Sequence, residues 1–378
     1  MFPYEKKTRF SYSFATVPEL SYICRREGFD IPLSCDVSPL SGKVRLRSKG
    51  GRTVILQNSL AVLPVNCLDA AADGAPSRLT ERRWIKYAGC GAGLVFCGPA
   101  SVSESAPAGG NLFISEHNIQ KYKSLINKMR SSFSGLLILQ LFADCPPEKA
   151  PEGELPALFA KTARAAFEAG FDGIEICVFP DSQAERRLLI SKIFDAVLAV
   201  SPENAVISLK YFYNENSPEP DVSLLCDLAE KGLSAASITA ISPDLACPSN
   251  IPQATPSRHP IADAEQLLSA AKRIKNLVPD VCVIASGMSY FKELAPNVAA
   301  GAIAEKACDV AGFGRMALAY ESFASDFLSG NADRKKVCIA CGKCTKLCLC
   351  GEAVGCPIMD QDVYLPILRK VIRQKPQG

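Results

Sequence analysis

Cys338-Ile-Ala-Cys341-Gly-Lys-Cys344 is the densest concentration of reactive side chains in the 378-residue sequence. Cys348, Cys350 and Cys356 follow, so six of the 17 cysteines fall between positions 338 and 356. Three thiolates at Cys-x2-Cys-x2-Cys spacing sit on one tight loop, a frequent arrangement for a 4Fe–4S cluster. Cys348 completes a bacterial ferredoxin-like spacing, with Leu349 where proline is usual. Four thiolates would also make a structural zinc site, which is redox-silent. Unliganded thiols fit so regular a spacing least well. The other cysteines are scattered singly, mostly in apolar segments. That distribution points to buried thiols in a reducing compartment, the cytoplasm, rather than to a disulfide framework.

A second set of candidates stands at the ends of short apolar runs. Leu139-Gln140-Leu141 carries an amide in an otherwise hydrophobic stretch. Lys210 closes a similar run and is followed by Tyr211 and Tyr213. A lysine there is costly to bury unless it meets an anion, and otherwise it snorkels to solvent. Ser286-Gly287-Met288 and Gly312-Phe313-Gly314-Arg315 end two later runs. Their glycines let backbone amides approach a phosphate, and Arg315 adds a charge-assisted donor.

The elements that must position these groups alternate regularly. Apolar runs at 59–64, 92–97, 136–141, 173–178, 205–210, 235–241, 281–286 and 308–313 are rich in Val, Ile or Leu and lack strict alternation. Parallel strands buried on both faces have that pattern. Between them lie amphipathic stretches such as 156–169 and 262–277, with apolar residues at three- and four-residue spacing. Strand–helix units in such a succession predict an α/β fold, a (β/α)8 TIM barrel over residues 55–330. A doubly wound sheet is the alternative, and no Gly-x-Gly-x-x-Gly follows the first strand to favour it. Residues 1–54 lack the rhythm and are expected to cover the barrel's bottom or flank. Residues 331–378 form the cysteine-rich metal-binding tail.

Composition limits the partners. The chain is 48% hydrophobic and 21% charged, and 42 basic against 39 acidic residues leave a net charge of +3. No basic block calls for nucleic acid, no signal-type apolar segment opens the sequence, and no run approaches the ~18 apolar residues of a membrane span. A homo-oligomer is compatible with all of this.

Barrel chemistry sits at the C-terminal ends of the strands, with phosphate held after strands 7 and 8. Gly287, Met288, Gly314 and Arg315 fall there, so a phosphorylated cofactor is expected, and FMN fits better than a sugar phosphate. Lys210 would lie against the ring's N1–O2 edge and stabilise the anionic reduced form. Gln140 would hydrogen-bond the pyrimidine end. Pro64, Val65 and Asn66, after strand 1, would pack beside the ring.

The ordered motifs resemble the old yellow enzyme class of NADH:flavin oxidoreductases and 2,4-dienoyl-CoA reductases. The segment 59–80 with its Asp73-Gly-Ala-Pro76 loop, Gly91-Ala-Gly-Leu-Val95, Leu139-Gln-Leu141, Ala169-Gly-Phe-Asp-Gly-Ile-Glu-Ile176 and Gly312-Phe-Gly-Arg-Met316 carry the likeness, which spans roughly 50–360. The resemblance implies a barrel with tightly bound FMN, and hydride transfer between NAD(P)H and an activated alkene. It carries FMN contacts onto Pro64, Val65, Asn66, Gln140, Lys210, Gly287, Gly314 and Arg315. In the related dienoyl-CoA reductases a more distant cysteine completes the cluster, which puts Cys356 with Cys338, Cys341 and Cys344 ahead of Cys348.

One departure bears on activity. After Glu-Ile the family places a histidine, then a second histidine or asparagine, to grip the substrate carbonyl, and a tyrosine proton donor often follows. Here the residues are Cys177-Val-Phe-Pro180-Asp-Ser182, and the long loop after that strand is missing. His117 and His259 are the two histidines, and neither belongs to the fourth strand. Tyr211, Tyr213 and Cys177 are the replacement acids within reach of the mouth. Two functions follow: an FMN-dependent oxidoreductase reducing an unsaturated or electrophilic small molecule, fed by NAD(P)H or an electron-transfer protein, or a catalytically lapsed flavin- and metal-binding subunit of a redox complex.

Overall fold

The computed structural model describes residues 12–103, 110–143, 154–178, 183–213, 222–240 and 260–373. Eleven strands are formed among them. β1 (Val44–Arg47) and β2 (Thr53–Leu56) make an antiparallel hairpin. β3 (Leu60–Val62), β4 (Leu94–Ser101), β6 (Leu136–Phe142), β7 (Gly173–Cys177), β8 (Val206–Tyr213), β9 (Ala235–Ala240), β10 (Cys282–Ala285) and β11 (Val310–Phe313) pair in parallel, and β3–β4 pairing closes them into an eight-stranded barrel. The short β5 (Leu112–Phe113) adds to the far end of β4. Helices follow the strands and ring the barrel, so the expected (β/α)8 fold is the one observed. β4 and β8 run three or four residues beyond the apolar runs that announced them. In β4 the register against β6 shifts between Cys97 and Ala100, around Gly98-Pro99.

Alternation along each strand separates two cores. Leu60, Val62, Val95, Leu137, Leu139, Ile174, Ile176, Ile207, Leu209 and Val283 point outward and pack under the helices. Ala61, Leu63, Leu94, Phe96, Ile138, Val206, Ala235, Ile284 and Val310 point inward and fill the barrel. The helices supply matching stripes: Phe159, Ala163, Ala166 and Ala169 on Glu154–Ala169 are buried at three- and four-residue spacing. Each apolar side chain removed from water contributes about 1.5–3 kcal/mol, offset by the entropy of ordering the chain.

The described part of the N-terminal segment meets the barrel in two places. Leu46 and Leu56 of the hairpin join the inward core beside residues that begin the strands, and so plug the barrel's N-terminal end. The plug is anchored by Lys49 and Gly50, whose N–H groups donate to the carbonyls of Ala205 and Glu203. The helix Val17–Glu27, capped by Thr16, lays Leu20, Ile23 and Cys24 on the flank.

The tail packs against the loop after β3. Leu347, Cys348, Val354, Tyr364, Leu368 and Val371 form an apolar cluster with Cys67 and Leu68. The Val354 N–H donates to the Cys67 carbonyl at 2.7 Å, and Asp360 pairs with Arg82 on the helix Arg78–Gly89. That helix is tied to the same loop by a buried pair, Arg83 with Asp69, to which Thr80 adds a hydrogen bond of 3.0 Å. The loop bearing Pro64, Val65 and Asn66 is thus held from both sides.

Candidate active site

Alternation decides which strand residues reach the barrel mouth. Ile138, Gln140 and Phe142 of β6 share one face, as do Glu175 and Cys177 of β7, Ser208, Lys210 and Phe212 of β8, and Ser237 of β9. Cross-strand register brings them level: Gln140 opposite Glu175, Glu175 opposite Ser208, and Lys210 opposite Ser237. The result is a group of polar side chains on one side of the barrel, above Ile138 and Val206.

Glu175 is the centre of that group and is fully buried. Its Oε2 accepts from Gln140 Nε2 at 2.5 Å. Its Oε1 accepts from Ser237 Oγ at 2.5 Å and from Ser208 Oγ at 3.4 Å. Burial pushes the carboxyl above its usual range, while the Lys210 ammonium and the three donors act in the opposite sense. With Nε2 committed to Glu175, the Gln140 carbonyl oxygen remains as an acceptor. Sequence reading assigned Glu175 no role. The signal was available: a lone acid in Gly-Ile-Glu-Ile-Cys, at the same strand parity as a glutamine and a lysine in neighbouring strands.

The next layer up is apolar. Phe142, Cys177 and Phe212 pack together, all buried. Cys177 therefore lies at the end of β7 as expected, but inside an aromatic contact rather than on an open face. Tyr211 and Tyr213 are not brought to the mouth. Since Lys210 faces inward, its neighbour Tyr211 must face outward, and it packs in the helix-side core with Tyr213 against its edge. This corrects the expectation that either tyrosine supplies a proton there.

The glycine-bearing ends of β10 and β11 lie where the barrel order predicts. Gly287 has φ +93°, a left-handed conformation that favours glycine, and caps the 3-10 helix Met288–Leu294. Met288 itself is fully buried in the outer core, so it offers a ligand only its backbone. Gly314 lies against the loop after β3: a Cβ there would stand 3.1 Å from Val65 Cγ2. Pro64 and Val65 are half-buried, and Asn66 is buried with its amide toward Asn111. His117 is exposed in the turn before the helix Ile119–Arg130. His259 lies outside the described residues.

Arg315 points away from the polar layer and toward the tail. It lines one small pocket together with Cys338, Cys341, Cys344 and Cys356. Cys348 and Cys350 do not line it: Cys348 is buried in the tail's apolar cluster with Sγ 4.0 Å from the Asn66 carbonyl, and Cys350 is exposed. Among the described residues no three His, Cys, Asp or Glu side chains converge tightly enough to hold one metal ion. No disulfide joins any of the fifteen described cysteines. A separate cleft of about 730 Å³ opens beside Arg82, Lys86, Glu321, Asp360 and Tyr364, outside the barrel and away from the polar layer. No helix is long and apolar enough to cross a membrane, among the described residues.

No protein-family profile and no curated relative matches the sequence. Solved structures do match in fold. A 2-naphthoyl-CoA reductase in complex with 2-naphthoyl-CoA superposes with a TM-score of 0.70 at 14% identity, covering 85% of this chain and 57% of that one. Morphinone reductase in complex with tetrahydroNAD gives 0.55 at 17% identity, over 78% of this chain and 91% of the other. An old yellow enzyme homologue from Zymomonas mobilis gives 0.54 at 14%, over 77% and 92%. The chain spans a little over half the length of the first of these. At such identities the likeness is one of fold: the barrel is built as in the old yellow enzyme homologues.

Proposed function

We propose that the chain is an FMN-dependent oxidoreductase of the old yellow enzyme type, reducing an unsaturated or otherwise electrophilic small molecule. The observation that carries this reading is the set of inward polar groups at the barrel mouth, where Gln140 on β6 and Lys210 on β8 flank Glu175 on the strand between them. A cation and an amide acceptor on either side of one strand match the N1–O2 edge and the pyrimidine N3–H of an isoalloxazine. Gly287 and Gly314, at the ends of the last two strands, leave room for a phosphate near the loop of Pro64, Val65 and Asn66. Bound FMN would supply hydride transfer. Lys210 would stabilise negative charge arriving on the ring, and Gln140 would orient it. NAD(P)H or an electron-transfer protein is the source of electrons in this reading, and the lack of disulfides among the described cysteines agrees with a cytoplasmic setting.

Cys338, Cys341, Cys344 and Cys356 are the residues that would hold a 4Fe–4S cluster. Zinc at about 2.3 Å from each sulfur needs four sulfurs within roughly 4 Å of one another. The four cysteines line one small pocket, and the spacing of the first three is the one common to multi-iron clusters. Such a group relays single electrons. Arg315, in the same pocket and next to Gly314, would stand between it and the cofactor's phosphate end.

The second reading, a lapsed redox subunit, is favoured by β7 alone, where Cys177 packs with Phe142 and Phe212 and, among the described residues, no carbonyl-gripping donor replaces the histidine pair. Denaturing anaerobically purified protein should release FMN. Recovery of FAD alone, or apo-protein that takes up no FMN, would overturn the cofactor assignment. Reduction of that FMN by NAD(P)H without turnover of any acceptor would favour the lapsed subunit.

A further inference from the structure

Glu175 sits in an unusual place for an acid. Apolar residues lie below it (Ile138 and Val206) and Phe142, Cys177 and Phe212 lie above it, and no part of it reaches solvent. Burying an ionised carboxylate is costly unless donors and a counter-charge surround it. Both are present: three side-chain donors on its two oxygens, and the Lys210 ammonium acting on it electrostatically. Glu175 itself is shut off from solvent while Lys210 is half-buried, so their charges are screened less than those of a surface pair.

We propose that Glu175 is the counter-charge that tempers Lys210, setting how strongly the site favours a negatively charged cofactor ring while holding Gln140 with its carbonyl oxygen free. It is a positioning residue acting through Lys210 and Gln140, and its role rests on the FMN reading above. The sign is fixed by electrostatics. Reduction of FMN to its anionic two-electron form adds negative charge near Lys210, which favours it, and near Glu175, which opposes it. Neutralising Glu175 at nearly constant shape leaves Lys210 unopposed, and the reduced form gains.

The test is Glu175→Gln in the full-length protein. The equilibrium between oxidised and reduced flavin should move toward the reduced form by about tenfold, which is about 30 mV for a two-electron couple. Sulfite, an anion that adds to oxidised flavin and places negative charge on the ring, should bind tighter by a similar factor in a spectral titration. A variant that binds FMN with unchanged potential and sulfite affinity would overturn the proposal. If wild-type protein binds no FMN, the cofactor reading fails first, and the two failures are distinct. Should Glu175→Gln fold poorly, thermal melting of flavin-free protein still reads the pairing. Lys210→Met should lower the melting temperature by leaving Glu175 uncompensated, and adding Glu175→Gln should recover part of the loss. A double variant less stable than Lys210→Met alone would refute the pairing.

Discussion

Cys348 and Cys356 compete for the fourth position of the tail cluster, and the structure makes their replacement by alanine diverge. Cys348 is fully buried among Leu347, Val354, Leu368 and Cys67, and it does not line the pocket of the other thiols. Removing its sulfur deletes about one methylene's worth of apolar contact and leaves a small void, which costs about 1 kcal/mol. Unfolding entropy of ~2.1 cal/mol/K per residue makes that a fall of only about 1–2 °C in Tm. Iron and sulfide in Cys348→Ala should stay near about four of each per chain, as for the intact cluster. Cys356→Ala removes a ligand instead, and iron and sulfide should fall to a fraction of that, with loss of the broad absorption near 400 nm. The assay is iron, sulfide and zinc determination on anaerobically purified protein, with each variant's melting curve measured beside it. The reverse order, with Cys348→Ala losing iron and Cys356→Ala keeping it, would show that the ferredoxin-like spacing selects the ligands. Stoichiometric zinc without sulfide would refute the cluster altogether.

Asp69→Asn should strand the buried guanidinium of Arg83 at a cost of about 3–5 kcal/mol, seen as a fall of about 4–6 °C in Tm. Arg315→Ala removes a cation next to Gly314, and FMN binding should weaken by the ~1.5–3 kcal/mol of a charge-assisted contact; unchanged affinity by fluorescence titration would assign Arg315 to the cysteine pocket alone. Cyclohexenone should be reduced very slowly, because losing one carbonyl-gripping donor typically costs about 10²–10³ in rate and β7 supplies none; rapid, saturable turnover by pure protein would count against this account of the mouth. Gly173→Ala should give little folded protein, since a Cβ there would lie 2.2 Å from the Val206 carbonyl oxygen, and a soluble variant with normal melting would contradict the β7–β8 packing.

The eight parallel strands, their order and the barrel were legible in the sequence because strands buried on both faces read as apolar runs whatever their neighbours are. Gln140 and Lys210 were legible for a related reason: a polar side chain ending such a run has few places to go except the mouth. Tyr211 and Tyr213 were misplaced where strand parity already forbade them, since Lys210 and Tyr211 cannot both face inward. Glu175 needed the sheet itself. Its role depends on register across four strands, which brings Gln140, Ser208, Ser237 and Lys210 around one carboxylate, and register is a property of pairing rather than of any one segment. The tail divides in the same way. Cys338, Cys341 and Cys344 are grouped by a spacing that any reader of the sequence can see, because a tight loop needs nothing beyond its own residues. The separation of Cys348 from Cys356 is decided by the loop after β3, whose Cys67 and Leu68 draw Cys348 into an apolar cluster from nearly three hundred residues away. Contacts of that range are made only when the barrel closes and gives the tail a surface to pack on.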